Sequence, residues 1–347
     1  MTASDKTVIG FAKQVAKGTP NTTDAAFKYL LFREGGLAIG NMNIPLDPEV
    51  GGGAMERDVV KAGVVTGGAL SIIPRPDTLG LLLMGLLGKD TVTHDIPNST
   101  YKHVFTHNTD EFDIPWYSGR QAPGQLWGEL YPDMRLASLV LSWRAARFVE
   151  GEVAFIGAGT PSSVADISLW APATYLDGGP QFISPLGTIE LPTGTAAKVI
   201  SGAFAAQIAQ PVDDKMIVGS YAPSTLDIVR RSYAISLVVR IDDGTLANKM
   251  QFDPAGGTAW VAKLMKEANI KLVFNSPVMA GGVNPFSFTI KANGASDATA
   301  NIVWTCRPLN FKAGKQITLA VTGTFLANTA VGQQPISIEL VNTTASY

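Results

Sequence analysis

Three histidines (His94, His103, His107), one cysteine (Cys306) and two carboxylate clusters are the residues here whose types could carry chemistry. His103 and His107 stand four apart, the spacing that sets two metal ligands on one helical face. Their context, YKHVFTHNT, is strand- and turn-like with no helix start. On a strand the two would share a face about 13 Å apart. They read as solvated polar residues in a loop. Asp110, Glu111 and Asp113, and Asp213 with Asp214, could do acid–base work. No nucleophile or base accompanies them, so they read as solvated charges. A lone cysteine supports neither a disulfide framework nor a Cys-rich metal site. Cys306, near Trp304 and Arg307, reads as a small residue in or near the core. The clusters Gly51 to Gly53 and Gly67-Gly68 lack the basic residue and helix start of a phosphate loop. They read as a flexible loop and a strand kink. No acid, base and nucleophile set and no cofactor motif emerges, so the expectation is a chain that is not an enzyme and holds no cofactor or metal.

The elements around these residues point to structure instead. Charged residues make up 16% of the 347, against about 25% in an ordinary soluble protein. A low-charge surface suits a chain that hides much of itself against copies of itself. The 35 glycines and 21 prolines favour many short strands joined by turns. The net charge of −2 gives no basic excess for gripping nucleic acid. The most apolar run, Leu79 to Gly88, is about half the 20 residues a membrane span needs, and it predicts a buried helix. No signal peptide is visible in MTASDKTVIG.

Along the chain, residues 1–26 read as an irregular arm. Strands are predicted at Phe27–Phe32 and Leu37–Pro45, and a strand pair or one long bent strand at Val59–Ile73, then a helix capped by Asp77 or Thr78. Residues 89–134 read as loop-rich, and two strands span Leu136–Ile156. The small, polar segment Gly157–Val164 is the best domain boundary, dividing a first β domain, 27–160, from a second, 161–347. Strands follow at Ala203–Pro211, Ser232–Ile241, Lys271–Phe274, Phe286–Lys291, Asn301–Arg307 and Gln316–Leu326. A helix is expected at Gly257–Ala268, and a last edge strand or arm at Pro335–Asn342.

The halves also resemble each other. Leu70-Ser-Ile-Ile-Pro-Arg-Pro-Asp77 aligns with Ile235-Ser-Leu-Val-Val-Arg-Ile-Asp242 at an offset of 165. Ser71, Arg75 and Asp77 meet Ser236, Arg240 and Asp242. Pro45-Leu46-Asp47 aligns with Pro211-Val212-Asp213. The order of strand, long loop, strand, helix, strands predicts a tandem duplication.

The segments KGTPNTT (17–23), IPLDPEVGGG (44–53), GGALSIIPRPDTLGLLLMGLLG (67–88), EGEVAFIGAG (150–159) and VRRSYAISLVVRIDDG (229–244) resemble the tandem-domain tail tube proteins of phages with long non-contractile tails. The resemblance implies an all-β fold with minor α, two β-sandwich or barrel domains, each with one outer helix. It implies trimeric rings with six quasi-equivalent domains, stacked into the tube through which the genome passes. It further implies a virion protein made in the host cytoplasm, without membrane insertion. Its partners would be itself, a tape measure protein, tail-tip and terminator proteins, and viral double-stranded DNA. Loops reaching neighbours would be Asp47–Asp58 and Val212–Val229. The contact candidates there are Asp47, Glu49, Met55, Glu56, Arg57, Asp58, Asp213, Asp214, Lys215, Tyr221 and, just beyond, Arg230. A basic lumen would grip phosphates, so the lumen is expected to be neutral to acidic. A ring-forming tail-tip or secretion component is the alternative reading, and an all-β binding module a more distant one.

Overall fold

Alternation of large apolar with small or polar residues makes most of the chain strand. The computed structural model describes residues 6–48, 55–95, 99–108, 113–170, 180–191, 197–212, 215–242, 244–267, 270–280, 284–292, 302–307, 316–327 and 335–347. In chain order come β1 Val8–Lys13, β2 Lys28–Tyr29, β3 Phe32–Pro45, β4 Val59–Ile72 and helix α1 Pro76–Leu87. Then follow β5 Gly88–Asp95, β6 Thr100–His107, β7 Tyr117–Ala122, β8 Gly128–Arg144, β9 Glu150–Gly157 and β10 Ser162–Val164. Next are β11 Ile183–Glu190, β12 Val199–Ala209, β13 Arg230–Arg240 and helix α2 Thr245–Gln251. The last are β14 Met265–Glu267, β15 Lys271–Ala280, β16 Asn284–Ala292, β17 Ile302–Cys306, β18 Thr318–Phe325 and β19 Ile336–Asn342. The fold is all-β with minor α.

The strands form two antiparallel sheets of thirteen and six strands. The larger is built on the run β3-β4-β9-β8-β12-β13-β18-β17. β8 is the hinge of this order, pairing with β9 on one edge and β12 on the other. Its N-terminal half also pairs with β7, which leads to β1 and β2. The smaller sheet runs β11-β15-β16-β19-β6-β5. Both sheets therefore draw strands from either side of residue 160. β19, read from sequence as an edge strand or arm, is interior between β16 and β6.

The inward faces of the sheets meet in one core. Leu139, Leu141, Phe204, Ile235, Leu237, Trp304 and Leu319 are essentially inaccessible. Trp143 of β8 reaches Phe274 of β15, with ring centroids 4.9 Å apart. Helix α1 lies between the sheets rather than outside, and ten of its twelve residues are buried. It packs on β8 of the larger sheet and on β5, β6, β16 and β19 of the smaller. The cause is its composition, since a helix apolar on every side has no face to give to water. Its first residue is Pro76, and it stops at Gly88, whose φ of 91° favours glycine. The N-cap is Arg75 in extended conformation, with neither Asp77 nor Thr78 in that place. Leu83 is fully buried, so Leu83→Ala is expected to cost about 2–5 kcal/mol. Urea unfolding should show this as a lower midpoint with an unchanged slope.

Three longer stretches also depart from the sequence reading. Residues 8–13, placed in an irregular arm, form β1 between β7 and β2. Ile9 and Phe11 face the main core, while Val8 and Ala12 face a second cluster with Phe27, Tyr29 and Trp170. A strand buried on both faces shows an apolar run without alternation, and VIGFA was too short to announce it. Arg120 closes that cluster, 3.5 Å over the Phe27 ring and 2.5 Å from Asp24. The second helix is Thr245–Gln251, directly after the Asp242 turn, not Gly257–Ala268. The latter stretch has helical periodicity, but Gly256 turns at φ 90° and Met265–Glu267 pair with β17 instead. Residues 89–134, read as loop-rich, hold β5, β6, β7 and the start of β8.

His103 and His107 are correspondingly not solvated loop residues; both are buried on β6. His103 Nδ1 lies 2.7 Å from Asp90 Oδ2, and Nε2 lies 2.8 Å from the Thr344 carbonyl. Both partners accept, so the ring must donate twice and carry a proton. Burial opposes that charge, but the Asp90 carboxylate, the Thr344 carbonyl and Asn342 outweigh it and raise the pKa above 6.5. The pair fastens the C-terminus, where Thr344 also donates to Asp77 at 2.9 Å and the Tyr347 ring lies over Gly80. A group with a raised folded pKa stabilises fully below its unfolded value, and that stability is lost as pH rises through the folded value. Melting temperature is therefore expected to fall from pH 6 upward through that value. In His103→Gln the fall should flatten.

Candidate functional site

Beyond Thr66, the last β4 residue paired with β9, strands β3 and β4 continue as a two-stranded hairpin to Pro45↔Val59. Met42 and Ile44 alternate onto one face, which Val60 shares by pairing with Ile44. All three are exposed, as are Leu46, Met55 (82%) and Val59. Isolated two-stranded hairpins are marginal in water, and this one shows apolar side chains to solvent. Of the contact candidates, Asp47, Met55, Glu56, Arg57 and Asp58 sit exposed at this tip, and Glu49 lies outside the described residues.

The second candidate loop folds differently. The Tyr221 carbonyl accepts from the Val64 N–H at 2.6 Å, at the root of the hairpin. Lys215 pairs with Asp227 at 3.1 Å. The Thr225 hydroxyl and the Lys215 ammonium hold the Asp227 carboxyl below its usual range. Buried Arg135 donates to the Leu226 carbonyl at 2.7 Å and stacks 3.9 Å over Trp116. Arg230 is exposed at the start of β13, and Asp213 and Asp214 lie outside the described residues.

The third feature is the outward face of the larger sheet. One row across it reads Glu34, Ser71, Glu152, Val140, Ala205, Ala234, Thr324, Val303. The next reads Gly36, Ala69, Ala154, Ser138, Gln207, Ser232. On the other side run Glu150, Ser142, Ala203, Ser236, Thr322, Thr305. From β3 to β17 the three rows carry three carboxylates and no base, and the first continues past Val303 to the Lys266 position of β14. Arginines stand at strand ends, where Arg33 pairs with Glu150 at 2.7 Å and Arg240 with Asp242 at 3.0 Å. Lys198 and then Arg240 hold the Asp242 carboxyl below its usual range. The repeat residues Ser71 and Ser236 both lie on this face. Asp77 instead bonds the C-terminal segment, and Arg75 precedes α1. This smooth surface was missed from the sequence, because nothing local in the chain sets these strands side by side.

The sheet ends are also unequal. β3 has no strand on its outer edge among the described residues, and β17 has only β14, opposite Ile302–Trp304. A long sheet with open edges, an apolar hairpin and a smooth face describes a part made to be joined. Residues 4–262 match the family of phage tail tube proteins. The chain belongs to that family. A search of curated proteins found no match. Membership makes the tail tube chain a structural virion component that self-assembles into a tube. Among its described residues no helix is long and apolar enough to cross a membrane.

Proposed function

We propose that three copies of the chain close into a ring and that stacked rings form the conduit for the viral genome. The observation that carries this is the β8–β12 junction. It joins β3-β4-β9-β8 to β12-β13-β18-β17, two four-strand units in which a strand pair, a helix and two further strands follow in the same order. The matching segments 70–77 and 235–242 fall at the same place in each unit, which favours tandem duplication with units near 27–160 and 161–347. The internal junction is the template for the external one: β3 of one copy pairs with β17 of the next, taking the place of the three-residue β14. Eight strands per chain make 24 in three copies. Barrels of 16–18 strands already leave a water channel, and about 24 could pass a duplex. Closure also removes the exposed edges that invite uncontrolled pairing.

The outward face then lines the lumen, and its small neutral and acidic side chains give phosphates nothing to hold. The hairpin tip reaches the next ring, with residues 212–229 bracing its root. The chain performs no catalysis in this role. Its other partners are a tape measure protein, tail-tip and terminator proteins and the passing DNA, and it is made in the host cytoplasm. Electron microscopy of the purified chain over a concentration series, paired with its mass, tests the reading. Trimers that convert to tubes with a central channel are the expected result. Single rings that never stack would place the chain in a tail tip or hub instead.

A further inference from the structure

Beside the 210–229 loop, where β6, β13 and β18 end together, lies a cavity of about 170 Å³. His107, Arg231, Tyr233, Phe325 and Pro335 are among its walls. All three guanidinium nitrogens of Arg231 are buried, and none has a hydrogen-bond partner among the described residues. His107 is only 4% exposed. Its Nε2 lies 2.7 Å from the Tyr233 hydroxyl, while its buried Nδ1 has no partner among the described residues. Burial, and then the charge of Arg231, hold the His107 pKa down at about 4, so the ring is neutral. In the tautomer in which Nε2 accepts from the Tyr233 hydroxyl, Nδ1 carries the hydrogen and can donate into the cavity. A second buried guanidinium, Arg135, lies within electrostatic reach of Arg231, with the carboxylates of Asp113 and Asp227 also acting on it.

A guanidinium buried with no counter-charge paired to it among the described residues is strongly unfavourable, and its planar fork matches a carboxylate or another oxyanion. The cavity holds nearly six water volumes of about 30 Å³, enough for a carboxylate head or a sulfate and too little for a nucleotide. We propose that this cavity is an anion site, with Arg231 and His107 as its donors. The anion is either free in solution or, given the tube reading, the carboxylate of a neighbouring copy.

The lone full-length chain is titrated with sodium sulfate at constant ionic strength set by sodium chloride, and the His107 ring resonances are followed by NMR. A saturable shift is expected. It should vanish in Arg231→Met, weaken at least tenfold in affinity in Arg231→Lys, and persist in the surface control Arg240→Met. Far-UV circular dichroism checks that each variant folds, and Arg231→Met, relieved of a buried charge, should melt no lower than the parent. No saturable shift, or one that survives in Arg231→Met, overturns the site and leaves the tube reading intact. Where sulfate binds, assembly identifies the source. Sulfate that blocks tube growth, with no growth of Arg231→Met, points to the neighbour's carboxylate. Sulfate that leaves growth unchanged points to a free anion.

Discussion

A chain in which residues 42–63 are replaced by Asn-Gly is expected to fold normally and to lose tube growth. The cut joins Asn41 to Val64, which already face each other, through a two-residue turn of the type that suits hairpins. It removes Met42, Ile44, Val59 and Val60, all about half exposed, so the lone chain loses little packing. If the tip is an inter-ring contact, burying those four side chains contributes about 4 kcal/mol per subunit. The critical concentration for tube growth should rise about a thousandfold. Circular dichroism and melting should stay close to the parent, while sedimentation and microscopy should find no tubes. Tubes at the parental concentration would mean that the tip is not the stacking contact.

Placing lysines at Val140, Ala205 and Ala234 is expected to slow genome passage severely at low salt. These residues are neighbours in one row across β8, β12 and β13, on the face assigned to the lumen. None is fully buried, so the sheet should tolerate the longer side chains. Three copies would bring nine lysines to each ring, repeated along the tube. Binding that engages 6–10 phosphates weakens by roughly 10³–10⁵ between 50 and 200 mM salt. DNA release from variant virions, followed with a dye, should therefore be strongly inhibited at 50 mM and recover steeply towards 200 mM. Parental release at both salts would remove this face from the lumen.

What could be read from the sequence divides along a physical line. The strand read at Ser232–Ile241 showed itself because alternation is local, and the ten-residue apolar run around α1 required burial. β1 was missed because both its faces are buried, one in the main core and one against Phe27, Tyr29 and Trp170. His103 and His107 were misplaced because their partners, Asp90, Thr344 and Tyr233, converge only after folding. The second helix was misplaced because helical periodicity in Ala259–Met265 lost to the pairing of β14 with β17. The exposed tip could be anticipated from its turn-rich composition. The smooth face could not, because Ser71, Glu152, Val140, Ala205 and Ala234 become one row only through strand order, and strand order is set by the β8–β12 junction.

That junction also fixes the most direct test of ring closure. Ser138 of β8 faces Gln207 of β12. Ser138 connects through Ala154 to Ala69, and Val303 connects through Thr324 to Ala234, the residue matching Ala69 in the repeat. Gln207 faces Ser232, whose repeat partner Gly67 faces Ala38. Val303 of one copy should therefore oppose Ala38 of the next. Assembled tubes of Ala38→Cys/Val303→Cys in a Cys306→Ala background should yield closed covalent trimers on oxidation or with a short thiol cross-linker, and each single variant should yield none. Monomers alone, or an open ladder of dimers and higher species without a trimer end point, would contradict ring closure through β3 and β17.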